Sequence, residues 1–219
     1  DNADMVSFGV ATGRTIDGAV DILNQHHVPA PDLIISSVGT EIYYGKDHTY
    51  DQGWETHISA GWNRDRVYKL LKDFDFLTYQ QESAQRPFKV SYDMAPGKDR
   101  LSMVHERLLK HKCRYTLIYS HEKYLDIIPY RASKGKALRY LSYKWETPLS
   151  DFIVCGDSGN DEEMMRGEPK GVVVANFSPE LAVLRGGRNI YFAGEKFAGG
   201  ILEGLRRYGL MKQREKDNE

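Results

Sequence analysis

Three short segments combine residue types that could do chemistry on a phosphate ester. In Gly156-Asp-Ser-Gly-Asn-Asp161 two carboxylates stand four positions apart with small residues between them. Such a loop can present oxygens to a hard divalent cation such as Mg²⁺. The same letters also make an ordinary turn in which Asp161 helps to cap the next helix. In Ala11-Thr-Gly-Arg-Thr15 the Thr12 hydroxyl and free backbone N–H groups at a helix start suit an anion, phosphate above all. Plain capping by Thr12 or Thr15 is the alternative. In Ser133-Lys-Gly-Lys-Ala137 a lysine, Lys134, opens a helix, where the macrodipole gives a cation nothing. Its position suggests an anion or a carboxylate cluster to neutralise, a solvated side chain being the simpler reading. Lys136, two positions on, points elsewhere. Together the segments offer a hydroxyl, a cation and two carboxylates at element ends, the groups that metal-assisted phosphate hydrolysis requires.

The elements that position these groups read as a parallel-sheet α/β core. Residues 5–11 and 33–35 are short continuous apolar runs, and Ile16, Ala19, Val20 and Leu23 fall at helix spacing between them. After residue 131 the grammar resumes: a helix through Ala137, Leu138, Leu141 and Trp145, strands at 152–155 and 172–174, and a last helix through Phe197, Ile201, Leu202, Leu205 and Tyr208. Strands buried on both faces and alternating with helices make βαβ units, and in such sheets ligands bind at the strands' carboxyl ends. The middle differs. Val67, Leu70, Leu71 and Phe74 mark one amphipathic helix and Leu101, Val104 and Leu108 a second, among strands of mixed polarity at 88–93, 115–120 and 124–128. Those strands suit an antiparallel sheet with one wet face. The expected organisation is a core at 1–46, an inserted α+β cap at 47–131, and the rest of the core at 132–219.

The order TGRT, KGKA, GDSGND resembles motifs two, three and four of the haloacid-dehalogenase superfamily of phosphohydrolases. Val38-Gly-Thr-Glu-Ile-Tyr-Tyr44, Phe88-Lys-Val-Ser-Tyr92, Leu125-Asp-Ile-Ile-Pro129 and Cys155-Gly-Asp-Ser-Gly-Asn-Asp161 narrow the resemblance to sucrose-phosphate phosphatases, stand-alone or as the C-terminal part of a sucrose-phosphate synthase. The resemblance runs over about residues 8–210. It implies a haloacid-dehalogenase-like fold with a cap that closes over the sugar, and Mg²⁺-dependent hydrolysis of sucrose 6-phosphate through an aspartyl-phosphate. It implies that Asp157 binds Mg²⁺, with Asp161 at the metal or behind it. Thr12 and Lys134 would hold the phosphoryl group, and Asn160 would touch it or position its neighbours. Thr40, Glu41 and Lys89 would meet sugar hydroxyls. On residue type alone, Glu41 is a plain strand residue and Lys89 a solvated one.

One part of the family pattern has no counterpart. The nucleophilic Asp-x-Asp at the end of an apolar strand does not occur before Thr12; Asp73-Phe-Asp75 follows an amphipathic helix, and Asp1 and Asp4 precede the first strand. The motif-one strand is expected upstream of Asp1, so this chain alone is expected not to turn over by the family mechanism. Alternatives are a related sugar-phosphate phosphatase, such as one for mannosylfructose phosphate, and a non-catalytic phosphatase-like domain of a synthase. A net charge of −1 gives no basic field for nucleic acid or anionic lipid. No apolar run approaches the roughly 20 residues of a membrane span, and two cysteines without zinc spacing make no framework. A soluble, cytoplasmic protein is the expectation.

Overall fold

The computed structural model describes residues 6–211. Met5, Asp1, Asp4 and the charged tail at 212–219 lie outside the described residues. The chain divides into two compact units, Asp1–Tyr140 and Leu141–Glu219.

In the first unit, β1 (Gly9–Ala11) and β2 (Leu33–Ser36) pair in parallel, joined by α1 (Ile16–Gln25), which buries Ala19. β2 then turns sharply into β3 (Glu41–Tyr44), and β3 into β4 (Thr49–Tyr50), both antiparallel. The parallel pair is thus extended by a hairpin that the apolar pattern does not announce. Gly45 and His48, at φ 63° and 49°, supply the left-handed backbone of its turn. α2 (Gln52–Ser59) follows, capped by the Asp51 carboxylate accepting from the Trp54 N–H at 2.9 Å. It buries Trp54 and Ile58.

Next come α3 (Arg64–Leu71), β5 (Thr78–Tyr79), β6 (Val90–Asp93), α4 (Arg100–Lys110), β7 (Tyr115–Ser120) and β8 (Tyr124–Pro129). The four strands form an antiparallel sheet in the order β5-β6-β8-β7. Side chains alternate across such strands. Val90, Tyr92, Leu125 and Ile127 join Val67 and Leu71 of α3 and Val104 and Leu108 of α4 in one apolar core. Leu101, expected on the packed face of α4, is 39% exposed. The opposite sheet face carries Ser91 and Asp126, directly paired in the register. That face is polar, as the mixed pattern implies, yet it is buried rather than wet: Ser91 is fully covered and Lys89 nearly so. The unit ends with the opening turns of α5 (Lys134–Lys144).

The second unit is a three-stranded parallel sheet in the order β11-β10-β9, made of β9 (Ile153–Gly156), β10 (Lys170–Val173) and β11 (Ile190–Phe192), with α6 (Glu162–Met165) and α7 (Phe197–Arg207). α7 does not pack as its apolar residues suggest. Its buried positions are Gly200 and Gly204, while Phe197 is 69% exposed and Ile201 and Leu202 face outward. A Cβ at Gly204 would lie 2.4 Å from the Val172 side chain, so only glycine lets the helix backbone settle on β10. Among the described residues no helix is long and apolar enough to cross a membrane.

Candidate functional site

The first unit brings Thr12, Thr40, Glu41 and Lys89 onto one connected set of contacts. Thr12 follows β1, its N–H donating to Ile35 O at 2.8 Å and its carbonyl accepting from Val38 N at 3.0 Å. Its Oγ1 accepts from the Arg14 N–H at 3.1 Å, closing a tight turn. The hydroxyl proton stays available to an outside acceptor, since a hydroxyl is one donor as well as an acceptor. Thr15 precedes α1 without a side-chain capping bond.

The loop after β2 carries the strain of the site. Ser37, Val38 and Gly39 have φ of 50°, 62° and 97° in succession. A left-handed β-branched residue is a true outlier, and such strain persists only where surroundings impose it. Here Ser37 N donates to Arg14 O at 2.7 Å, the Thr40 hydroxyl donates to Ser37 O at 3.0 Å, and Trp54 Nε1 donates to Gly39 O at 3.2 Å. A Cβ at Gly39 would sit 2.2 Å from Ser133 C and 2.3 Å from Lys134 N, so the loop backbone lies directly against the start of α5. Lys134 is buried there, behind Ser133, whose Oγ accepts from Lys136 N at 2.9 Å. Lys136 points away, its Nζ donating to Tyr130 O at 2.6 Å.

Glu41 is buried, not a surface strand residue. Its Oε2 accepts from the hydroxyls of Ser36 at 2.8 Å and Ser37 at 3.0 Å. Its Oε1 faces Arg86 Nε at 3.4 Å, and Arg86 Nη2 pairs with Asp17 at 3.2 Å. That Arg86 Nε is buried without a hydrogen bond. Lys89, only 4% exposed, donates to Gly13 O at 3.4 Å and stands 4.0 Å from Asp126 Oδ1. Asp126 Oδ1 also accepts from the Ser91 hydroxyl at 2.5 Å. Burial holds the Lys89 ammonium below its ordinary pKa, with Asp126 and Glu41 opposing. Burial likewise pushes the Asp126 carboxyl up, against Lys89, Ser91 and Lys134. Asp126, Arg86 and Ser36 go unmarked in a reading of residue types. The available signal for Asp126 was a lone carboxylate inside the apolar run Leu125-Asp-Ile-Ile-Pro129.

The second unit holds Asp157, Asn160 and Asp161 in the loop leaving β9. Asp161 makes no side-chain capping bond to α6; its Oδ2 turns back and accepts from Asp157 N at 3.1 Å, Ser158 N at 3.2 Å and Ser158 Oγ at 3.5 Å, closing a capping box on the short turn Gly159–Asp161. Asn160 Oδ1 accepts from the same hydroxyl at 3.1 Å. A Cβ at Gly156 would lie 2.5 Å from the Asp161 carboxyl, so the glycine leaves room for that carboxylate. Asp157 differs. It is half-buried, and among the described residues its side chain accepts from Asn176 Nδ2 at 3.5 Å. Burial and the neighbouring Asp161 push the Cys155 thiol up to about 11.

The donor set at this loop fits Mg²⁺. Hard oxygens suit it, and it is commonly held by one or two carboxylates with water and phosphate completing the shell. Among the described residues no group of three His, Cys, Asp or Glu forms a fuller cage.

The sequence profile of the Sucrose-6F-phosphate phosphohydrolase family matches residues 1–209. Sucrose-phosphatase 1 of Nicotiana tabacum is 35% identical over 211 residues, which are 91% of this chain and 50% of that protein. The chain spans about half the length of the plant relatives it matches. The mannosylfructose-phosphate phosphatase of Agrobacterium fabrum (strain C58 / ATCC 33970) is 31% identical over 202 residues, 91% of this chain and 82% of that one. The crystal structure of the sucrose-phosphatase from Synechocystis sp. PCC6803 with sucrose and phosphate superposes with a TM-score of 0.86 at 32% identity, covering 92% of this chain and 84% of that one.

Proposed function

The chain belongs to the Sucrose-6F-phosphate phosphohydrolase family and has its haloacid-dehalogenase-like α/β fold; from there we propose that it serves the hydrolysis of sucrose 6-phosphate to sucrose and phosphate. The observation that carries the sugar half of this reading is the Lys89, Asp126 and Glu41 cluster. A buried ammonium has three protons to place, and Lys89 places one, at 3.4 Å. Burying charges without full partners is costly unless a ligand supplies them. Sugar hydroxyls, which donate and accept at once, complete both the ammonium and the carboxylates. Glu41 and Lys89 read the hydroxyls directly in this proposal, and buried Thr40 holds the loop that aims Glu41.

Thr12 and Lys134 receive the phosphoryl group, the hydroxyl by its free proton and the ammonium by its charge. Asp157 would hold Mg²⁺, whose charge would offset that of a phosphate ester. Asp161 holds the Asp157 backbone N–H, and Asn160 accepts from the Ser158 hydroxyl beside it. The domain plan in this proposal is a core at 1–46 and 132–219 with a cap at 47–131. The covalent aspartyl step needs a carboxylate at the carboxyl end of a parallel strand, ahead of the Thr12 loop. Among the described residues Asp73 and Asp75 follow α3 and do not meet that requirement.

The mannosylfructose-phosphate relative, covered over most of its length, favours a second substrate of the same class. Titrating the protein with each ester in the presence of Mg²⁺ separates the two. Tighter binding of sucrose 6-phosphate is expected, and equal affinities would remove the basis for choosing sucrose.

A further inference from the structure

Two consecutive carbonyl groups link the sugar side of the site to its phosphate side. Arg14 O accepts from Ser37 N at 2.7 Å, and the Ser37 hydroxyl donates to Glu41 Oε2 at 3.0 Å. Gly13 O accepts from Lys89 Nζ at 3.4 Å, and Lys89 faces Asp126 at 4.0 Å. Gly13 and Arg14 complete the turn whose third member is Thr12, closed by the Arg14 N–H on Thr12 Oγ1. The side chains of the two residues holding those carbonyls, Ser37 and Lys89, thus each face a sugar-side carboxylate. Ser37 cannot drift independently, because it lies in a left-handed loop whose next residue, Val38, is fully buried at φ 62°.

We infer that sugar occupancy and phosphate occupancy are positively coupled through these two carbonyls, with Ser37 as a positioning residue that transmits the coupling. The inference rests on the proposed assignment of Glu41 and Lys89 to the sugar. A hydroxyl that accepts from Lys89 supplies the ammonium's missing partner and holds it on Gly13 O. A hydroxyl that donates to Glu41 keeps that carboxylate against Ser37, and so keeps Ser37 N on Arg14 O. The turn presenting the Thr12 proton is then already ordered when phosphate arrives, and phosphate gains what it would otherwise lose in ordering it. Linkage makes the effect reciprocal: phosphate must tighten sucrose by the factor with which sucrose tightens phosphate.

The test is calorimetric titration of the whole chain with sucrose and with inorganic phosphate, each alone and each at saturating concentration of the other. At least about a fivefold mutual tightening is expected, at the lower end of usual coupling. In Ser37→Ala the factor falls toward one while each ligand still binds alone. If that variant does not fold, Ser37→Gly serves instead, since glycine accepts the φ of 50° and keeps the backbone N–H while removing the hydroxyl. Independent binding in the unaltered protein overturns the coupling and leaves the sugar reading standing. An unchanged factor in the Ser37 variant overturns Ser37 as its transmitter. Failure of sucrose to bind at all overturns the sugar reading and the coupling with it.

Discussion

Two of the places where the described residues keep carboxylates from solvent are built differently. In the loop after β9, Asp161 is satisfied locally: two backbone N–H groups and a serine hydroxyl converge on one oxygen within four residues of sequence. In the first unit, Glu41 takes two hydroxyls from nearby Ser36 and Ser37 but its cation, Arg86, from far off in sequence. Asp126 takes Ser91 from another strand and Lys89 from just ahead of that strand, and the cations opposite the two carboxylates are under-bonded. Local satisfaction makes a stable scaffold that frees a neighbour, Asp157, for other duties. Incomplete satisfaction between elements leaves a stability deficit, which in the proposed function a sugar's hydroxyls relieve. Burial of charge is thus no single signal; what separates scaffold from receptor is how far the bonding capacity is filled.

That contrast breaks most sharply at Lys89. Lys89→Met should destabilise the protein by about 3–5 kcal/mol, because it strands Asp126 as a buried, unpaired charge. The double variant Lys89→Met with Asp126→Leu should recover that loss or exceed the parent by about 1–4 kcal/mol, since apolar replacement of a buried pair is often neutral or stabilising. Denaturant unfolding checks both, and sucrose binding should vanish in both. A double variant as unstable as the single would show that the pair is structural and not a receptor.

A smaller loss is expected in the scaffold. Asp161→Ala should cost about 1–2 kcal/mol, as for other lost caps, and should weaken the Mg²⁺-induced rise in thermal midpoint only indirectly. Asp157→Asn should leave stability within about 0.5 kcal/mol of the parent and yet abolish the Mg²⁺-induced rise. Reversed results would exchange the roles of the two aspartates.

A pH series sharpens the receptor side. The Asp126 carboxyl is raised above its ordinary 3.8 by burial, so the native state binds its proton more readily than the unfolded chain does. Its contribution is fully present below that ordinary value and is lost as pH rises through the raised one. Relative to Asp126→Asn, the parent should therefore lose stability across that window. A difference flat with pH would mean the carboxylate is as well solvated folded as unfolded.

The fold was legible in sequence wherever a pattern answers to one element. Strands β1, β2, β6, β7, β8, β9 and β10 and helices α3 and α4 follow from local periodicity, whereas the short strands β5 and β11 carry no pattern that marks them. The β3–β4 hairpin and α2 were not: Tyr43, Tyr44 and Tyr50 alternate too briefly, and α2 has only Trp54 and Ile58 to bury. α7 was legible as a helix but not in its orientation, because glycines at Gly200 and Gly204 decide its packing by absence of side chain. In the site, residue type alone read Glu41 as an exposed strand position, and the family resemblance marked it out. What buries it is Arg86, Ser36 and Ser37, and no local pattern announces a partner supplied from another strand or turn. Asp126 is the reverse case, a charge inside a strand read only as one of mixed polarity, whose partners Ser91 and Lys89 come from another strand and its leading edge.

The close fit of Gly39 against Ser133 and Lys134 also bears on the order in which the chain can fold. The left-handed run at Ser37–Gly39 is unfavourable by itself and has its closest steric neighbour across the whole antiparallel domain in sequence. Contacts of that separation form late, after the loop between them has closed. During synthesis β2 and β3 emerge well before α5, so the hairpin must wait in a relaxed form. Docking of α5 then sets the strained loop and delivers Lys134 in the same step.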